Sequence, residues 1–588
     1  MKVALRSQCI SLLFRRSPTA SSLLCRGHIQ THLQSQAPIF IHCANQILSI
    51  PRFYTAVSRV QPLQIKDDTI FALSTASGRA AIAVIRISGP ACVEIYHALC
   101  PNKPLPKARY ATVRTLYDPS QSATRVAVLD SNALILYFPS PKTVTGEDIL
   151  ELHVHGGPAI VKAVLQAVSN CSSPSSPVRY AEAGEFTRRA FLNNRLDLTQ
   201  VEALGDTLSA TTEQQRKLSV RGTTGRLAKR YEKWRTELLY ARGELEALID
   251  FSEDQHFDES PAVLASSVAT QVQDLRDHIK HHITNATRGE LLRNGISIAL
   301  LGPPNAGKSS LLNLIVGREA AIVSREAGTT RDVVEVGIDL GGYLCRVGDM
   351  AGLRANRSGA DKAKLIGLVE EEGIKRAVAR ALDSDVVILV FAPHVKEDGS
   401  VQMELSTEVL ETAKACVERG SKILAVINKI DLLPWGLEPY FSKTVEFIQA
   451  EIGSQEEIPA FAVSCKPTNG NSAPNGLQPF LTGLISTFET MTAASSPSGS
   501  ADPSVWQESL GASERHRELL EKCLEQLDMF LGQVRIDESL SEEDLDVVVA
   551  AESLRAAAEC LARITGRGDA GDVEEVLGVV FEKFCVGK

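Results

Sequence analysis

The sequence predicts a multidomain chain of mixed α+β and α/β class: an N-terminal α+β domain, a helical domain, and an inserted P-loop domain with a mainly parallel sheet. Three observations predict it. Between residues 294 and 490, short apolar runs such as Ile296 to Leu301, Val386 to Phe391 and Ile423 to Ile427 alternate with amphipathic stretches, the pattern of a parallel sheet covered by helices. Segments rich in Leu, Glu, Arg and Ala at helical spacing flank that region on both sides, at 194–293 and 505–588. Gly302 to Ser309 reads G-x-x-x-x-G-K-S directly after an apolar run and before a helical one.

The chain is 588 residues long, room for about three to four domains with their own cores. Hydrophobic residues make up 44% and charged residues 23%, ordinary for globular proteins, and no apolar run is long enough to serve as a transmembrane segment. The net charge of −9 argues against wrapping nucleic acid over the whole surface. One basic stretch stands out: Arg216, Lys217, Arg221, Arg226, Lys229, Arg230, Lys233 and Arg235. It reads either as a phosphate-facing stripe or, the commoner case, as a solvated helix face paired with Glu232 and Glu237. Twelve cysteines without a CxxC pair fit a reducing compartment, with neither disulfides nor zinc expected.

Taken in order, residues 1–62 read as a mitochondrial transit peptide: arginines among Ser, Leu and Gln, with no acidic residue before Asp67. A disordered basic tail is the bland alternative. Residues 63–193 hold short alternating runs, including Ala81 to Ile87, Ala133 to Phe138 and Ile149 to His155, with a helix after Pro158; this is the α+β domain. The helical domain follows at 194–293, the inserted α/β domain at 294–490, a Ser-, Pro- and Ala-rich linker at 491–504, and the second helical part at 505–588.

The inserted domain carries a guanine-nucleotide site in four motifs between Gly302 and Asp431, with a short loop beyond them. The P-loop residues Asn305, Ala306, Gly307, Lys308, Ser309 and Ser310 would cradle phosphates: glycine lets backbone N–H groups turn inward, Lys308 reaches the β- and γ-phosphates, and the Ser309 hydroxyl ligates Mg²⁺. Asp349 to Gly352 reads D-x-x-G, a carboxylate for the Mg²⁺ shell and a glycine N–H for the γ-phosphate. Asn428, Lys429 and Asp431 choose the base, because the Asp431 carboxylate accepts the two donors on the guanine edge and would face an acceptor in adenine. Ser464, Cys465 and Lys466 stand where a short loop closes over guanine. Thr330, in Gly328 to Asp332, supplies a switch hydroxyl for Mg²⁺. Many GTPases carry a water-orienting glutamine after D-x-x-G, but Leu353 stands there, so another group must do that work.

GTTRD, the nonpolar Leu353 and Asn305 in the P-loop together resemble the MnmE (TrmE) family of tRNA-modification GTPases, over essentially the whole chain after residue 62. The resemblance implies a Ras-like G domain in which Asn305 and the loop holding Ser324, Glu326 and Thr329 bind a potassium ion in the part of an arginine finger. It implies that Glu370 orients the attacking water; a solvated helix face is the alternative for that glutamate. It also implies a tetrahydrofolate-binding-type N-terminal domain, in which Arg86, Glu147, Arg195 and the terminal Lys588 contact 5,10-methylenetetrahydrofolate, or 5-formyltetrahydrofolate as its analogue. From the residues alone, Arg86 and Glu147 could equally make surface ion pairs. Cys585 aligns with a residue needed for tRNA modification, as nucleophile or as structural element. His153 and His155 alternate on one strand face without a third ligand and read as a packed or surface pair.

Members of this family form homodimers through the folate-type domain and work with an FAD-dependent MnmG-type partner. Together they install an aminomethyl-derived, carboxymethylaminomethyl-type group at C5 of the wobble uridine of certain tRNAs. The expectation for this chain is that reaction on mitochondrial tRNA in the matrix, with glycine as amine donor and GTP hydrolysis driving reorganisation. Met350 in D-x-x-G and Ser324 in the potassium loop depart from the family's threonines. Two rivals remain: a ribosome-assembly or RNA-binding GTPase switch without modification chemistry, and a scaffold that binds GTP without turnover.

Overall fold

The computed structural model describes residues 68–122, 124–251, 261–318, 321–325, 336–348, 378–395, 401–403, 406–433, 438–454, 456–466, 476–496, 506–534 and 546–568, with Phe584 and Gly587. The N-terminal part holds β1 (Thr69–Leu73), β2 (Ile82–Ser88), α1 (Cys92–Leu99), β3 (Thr112–Tyr117), β4 (Val128–Phe138), β5 (Ile149–His155), α2 (Pro158–Ser169) and β6 (Val178–Tyr180). The strands form one sheet in the order β3-β4-β5-β2-β1-β6, antiparallel except for the parallel β1–β6 pair. Side-chain alternation sorts each strand. Ala83, Ile85 and Ile87 of β2 join Leu150, Leu152 and Val154 of β5 in a core under α1 and α2. On the opposite face, Ile70 and Ala72 pack with Ala181 and Phe186, and Arg86 shares that face because it lies across from Ala72.

Four helices come next: α3 (Glu185–Leu192), α4 (Leu198–Ser209), α5 (Glu213–Gly222) and α6 (Arg226–Phe251), then the long α7 (Pro261–Asn294). The start of α4 is set by a capping box, in which the Asp197 carboxylate takes the Gln200 N–H at 2.9 Å and the Gln200 amide oxygen takes the Asp197 N–H at 3.1 Å.

The inserted unit runs β7 (Ile296–Leu301), α8 (Lys308–Arg318), β8 (Ala321–Arg325), β9 (Val336–Leu340), β10 (Tyr343–Val347), β11 (Val386–Phe391), β12 (Pro393–Val395), β13 (Val401–Met403), α9 (Thr407–Glu418), β14 (Lys422–Ile427), α10 (Glu438–Ile452), β15 (Ala460–Ala462) and α11 (Leu477–Thr492). Its seven-stranded sheet has the order β15-β14-β11-β7-β10-β9-β8, parallel from β15 to β10 with β9 and β8 antiparallel at one edge. Every residue of β11 is buried, as a central strand covered on both faces requires.

Past the insert lie α12 (Glu514–Val534) and α13 (Val547–Thr565). They share one apolar core with α6 and α7, from Tyr231, Leu238 and Ile279 to Leu527, Phe530 and Leu561. Helices from both sides of the insert therefore complete one another.

Candidate functional site

The P-loop leaves the carboxyl end of β7, between its neighbours β10 and β11, the crevice where open parallel sheets bind ligands. Its shape depends on residues without ordinary side-chain geometry. Gly302 runs against the next strand so closely that a Cβ would lie 2.1 Å from the Val390 carbonyl oxygen. Asn305 holds φ at 61° and Gly307 at 96°, left-handed values that turn successive N–H groups toward one side. α8 begins at Lys308, so its unpaired N–H groups and positive dipole end face the loop. Lys308 Nζ donates to the carbonyls of Gly302 at 2.7 Å and Pro303 at 2.9 Å, and burial pushes its ammonium below the usual lysine range. Ala306 is buried, while Ser309 and Ser310 are exposed at the helix start.

The base-selecting residues are bolted to this loop. Asn428 is buried at the end of β14 and its Nδ2 donates to the Ala306 carbonyl at 2.9 Å, while its Oδ1 accepts the Lys429 N–H at 2.8 Å. Lys429 sits at φ 58°, a left-handed turn two residues before Asp431. The Asp431 carboxylate accepts the Ser464 hydroxyl at 2.8 Å on one oxygen and faces Lys466 Nζ at 2.8 Å with the other. Burial works to raise its pKa, but the bonds from Lys466 and Ser464 outweigh that and hold it below the usual carboxylate value. Burial pushes the Cys465 thiol up, so it stays protonated at neutral pH. Asn305 to Ser310, Asn428 to Asp431 and Ser464 to Lys466 thus form one connected surface.

Glu326, Thr329, Thr330, Asp349, Gly352, Glu370, Cys585 and Lys588 lie outside the described residues, and Ser324 is described only in its backbone, within β8.

In the N-terminal domain the three folate-type candidates take separate partners. Arg86 Nε lies 3.0 Å and Nη2 2.9 Å from Glu151 Oε1, with the guanidinium 6.0 Å from the centre of the Phe186 ring. Glu147 accepts the Ser88 hydroxyl at 2.8 Å and Arg189 Nη1 at 3.1 Å on each oxygen. Arg195 Nε donates to the Thr143 carbonyl at 2.9 Å, in the loop that leads to Glu147. The tail arrives nearby: Phe584 packs on Leu198 and Val201, and the Gly587 carbonyl accepts the Ser74 hydroxyl at 2.9 Å.

Arg189 escaped the sequence reading. It is 5% exposed and serves Asp68 at 2.7 Å, Glu185 at 3.2 Å and Glu147 at once. The available signal was Glu185 and Arg189 at i, i+4 on one short helix. His153 faces Glu151 at 3.4 Å, whereas His155 Nδ1 sits 3.0 Å from both oxygens of buried Asp130. On the basic stretch, Lys233 pairs with Glu237 at 3.6 Å and Arg235 with Glu232 at 3.7 Å, the solvated-face arrangement.

Comparison with known proteins decides the lineage. A family model described as the GTP-binding protein TrmE N-terminus matches residues 69–195, and one for the MnmE helical domain matches 198–585. The chain belongs to the MnmE (TrmE) family. The second match runs across the inserted nucleotide unit, as expected of an MnmE helical domain completed from both sides. The tRNA modification GTPase mss1, mitochondrial, of Schizosaccharomyces pombe is 38% identical over 523 residues, 88% of this chain and 95% of that protein. The human 5-taurinomethyluridine-[tRNA] synthase subunit GTPB3, mitochondrial, is 37% identical over 91% of this chain and 96% of its own length. The tRNA modification GTPase MnmE of Parvibaculum lavamentivorans is 38% identical over 89% of this chain and its whole length.

Proposed function

We propose that this chain is a GTP hydrolase of tRNA modification, acting in mitochondria on C5 of the wobble uridine. The observation that carries the nucleotide half is the Asp431 carboxylate, bonded to Ser464 and Lys466 and held low in pKa, on the turn that follows the Asn428 bracing the P-loop. Such a carboxylate accepts the paired donors of guanine and rejects adenine. The tRNA half rests on family membership and on relatives named for tRNA modification that align along nearly their whole length.

The finer parts belong to the same reading. Lys308 and the N–H groups at the start of α8 would hold the phosphates of GTP, and the exposed Ser309 hydroxyl would hold Mg²⁺. Asn305, exposed and left-handed in the loop, would offer its amide to a potassium ion that supplies charge in place of an arginine or glutamine. In the N-terminal domain, Arg86 keeps guanidinium N–H groups beyond those bonded to Glu151, and Arg195 lies exposed beside the Glu147 loop, a donor set suited to the carboxylates and polar ring edge of a folate. 5,10-Methylenetetrahydrofolate would supply a one-carbon unit there. A homodimer through this domain, an FAD-dependent MnmG-type partner and a matrix location complete the proposal.

Two measurements test it. Turnover of GTP by the purified protein should rise severalfold when potassium replaces sodium; equal and negligible rates in both salts would favour a scaffold. Nucleoside mass spectrometry of mitochondrial tRNA from cells lacking the chain should show loss of a C5-modified wobble uridine, and unchanged nucleosides would end the modification reading. The same spectrum identifies the amine, glycine in our reading and taurine in the name of the human relative.

A further inference from the structure

We propose that Glu151 is a positioning residue of the folate-type site, fixing the Arg86 guanidinium before a ligand arrives; the inference rests on the folate reading above. Arg86 and Glu151 lie directly opposite one another on the antiparallel strands β2 and β5. Nε and Nη2 of Arg86 both point at Glu151 Oε1, at 3.0 and 2.9 Å. Oε2 of the same carboxylate lies 3.4 Å from His153 Nε2, two residues along β5, so the acid is held from its far side as well. Phe186, on α3, closes the third side of the guanidinium.

The pair differs from the structural arginine beside it. Arg189 is 5% exposed and distributes its donors over Asp68, Glu147 and Glu185. Arg86 is 25% exposed and, among the described residues, Glu151 is the acceptor its side chain bonds, which leaves the Nη1 edge for an outside acceptor. An arginine has several rotatable bonds to freeze, and freezing them in the free protein removes that cost from the binding step. Glu151 supplies that restraint without occupying the ligand-facing edge. It touches no ligand itself and acts through Arg86.

A double-mutant cycle on the full-length protein tests this, with 5-formyltetrahydrofolate as probe and calorimetric affinity as readout. Glu151→Gln, which keeps shape and removes charge, should weaken binding about three- to tenfold through the released guanidinium. Arg86→Gln should weaken it more. The double variant should bind within about twofold of Arg86→Gln alone, because a residue that works only through Arg86 has nothing left to position. If the two losses multiply, or if Glu151→Gln binds like the wild type, the proposal is overturned. Thermal unfolding of each variant identifies a folding defect; should Glu151→Gln unfold, Glu151→Asp, which retains charge and withdraws it by one methylene, carries the same cycle. A wild-type protein that ignores the probe overturns the folate reading and this proposal together, and that outcome is visible before any variant is made.

Discussion

Replacing Asp431 by asparagine probes the base-selecting step with the least disturbance to its surroundings. Asparagine keeps an oxygen for the Ser464 hydroxyl, now 2.8 Å from Asp431 Oδ1, and loses the ion pair to Lys466, whose side chain is 72% exposed and contributes little to stability. The loss falls on the nucleotide. Two charge-assisted hydrogen bonds to the guanine edge are each worth about 1.5–3 kcal/mol, so GTP affinity should fall by about 10² to 10⁴. The asparagine amide now offers a donor as well as an acceptor, which matches the 2-keto edge of xanthine. Equilibrium titration with fluorescent GTP and xanthosine triphosphate reads both changes. The wild type should prefer GTP, and the variant should prefer the xanthine nucleotide while retaining its unfolding temperature. A variant that still binds GTP within threefold of the wild type would refute the assignment of Asp431 to the base.

Gly307→Ala should weaken GTP binding at least tenfold in the same titration, because φ is 96° and the new Cβ would lie 2.1 Å from Asn428 Nδ2, breaking the brace to Ala306. Arg189→Met removes a nearly buried cation facing Asp68, Glu147 and Glu185, and should destabilise the N-terminal domain by about 3–5 kcal/mol in denaturant unfolding followed there. Stability should be lost on the acid side: burial opposes ionisation of Asp68, Glu185 and Glu202, but arginine partners, and His516 for Glu202, hold all three below their ordinary values. A depressed carboxylate contributes stability in full above its unfolded value near pH 4 and loses it as the folded group protonates; burial also holds His282 and His516 below the ordinary histidine value, so the unfolded chain takes up their protons first and unfolding temperature should begin to fall below about pH 6.5 and fall further below 4.

The sequence made β7, β11 and β14 of the inserted sheet legible because each is a short, mainly apolar run. β7 leads into the P-loop and β14 into Asn428, so position after the strand already fixes which end of the sheet carries chemistry. The helical layers were legible by period. The N-terminal site was less so, because its side chains meet between elements distant in sequence: Arg86 of β2 finds Glu151 of β5, and Glu147, in the loop before β5, finds Arg189 of α3, 42 residues on. Registers of that kind depend on which residues face each other, and a single strand's alternation gives the face without the neighbour. Ser88 and Thr145 lie in the stretches that hold Arg86 and Glu147, but their bond to each other at 2.7 Å, across 57 residues of chain, follows from neither stretch alone.

The insert meets the helical layer at three places, and together they define how a change in the nucleotide domain can be felt outside it. Where the chain enters, Gly295 holds φ at 88°, and a Cβ there would lie 2.9 Å from Leu344 of β10, so α7 and the sheet share almost no slack. Where the chain leaves, Asn285 on α7 brackets Ser495 through both its amide groups, at 2.9 and 2.8 Å, and Arg288 donates to the Ala493 carbonyl at 2.6 Å. Between these, the Gly341–Gly342 turn joining β9 to β10 lends the Gly342 carbonyl to the Gln214 N–H at 3.1 Å, satisfying an otherwise unpaired donor at the start of α5. Two of the contacts lie on α7 and one on α5, and Gln215 ties these helices together by donating to the Arg293 carbonyl at 2.8 Å. A rotation of the insert relative to the helices must therefore break the α5 cap or carry α5 and α7 with it. Through Arg293, bonded to Asp206 at 2.7 Å, that motion reaches α4, on which Phe584 is packed.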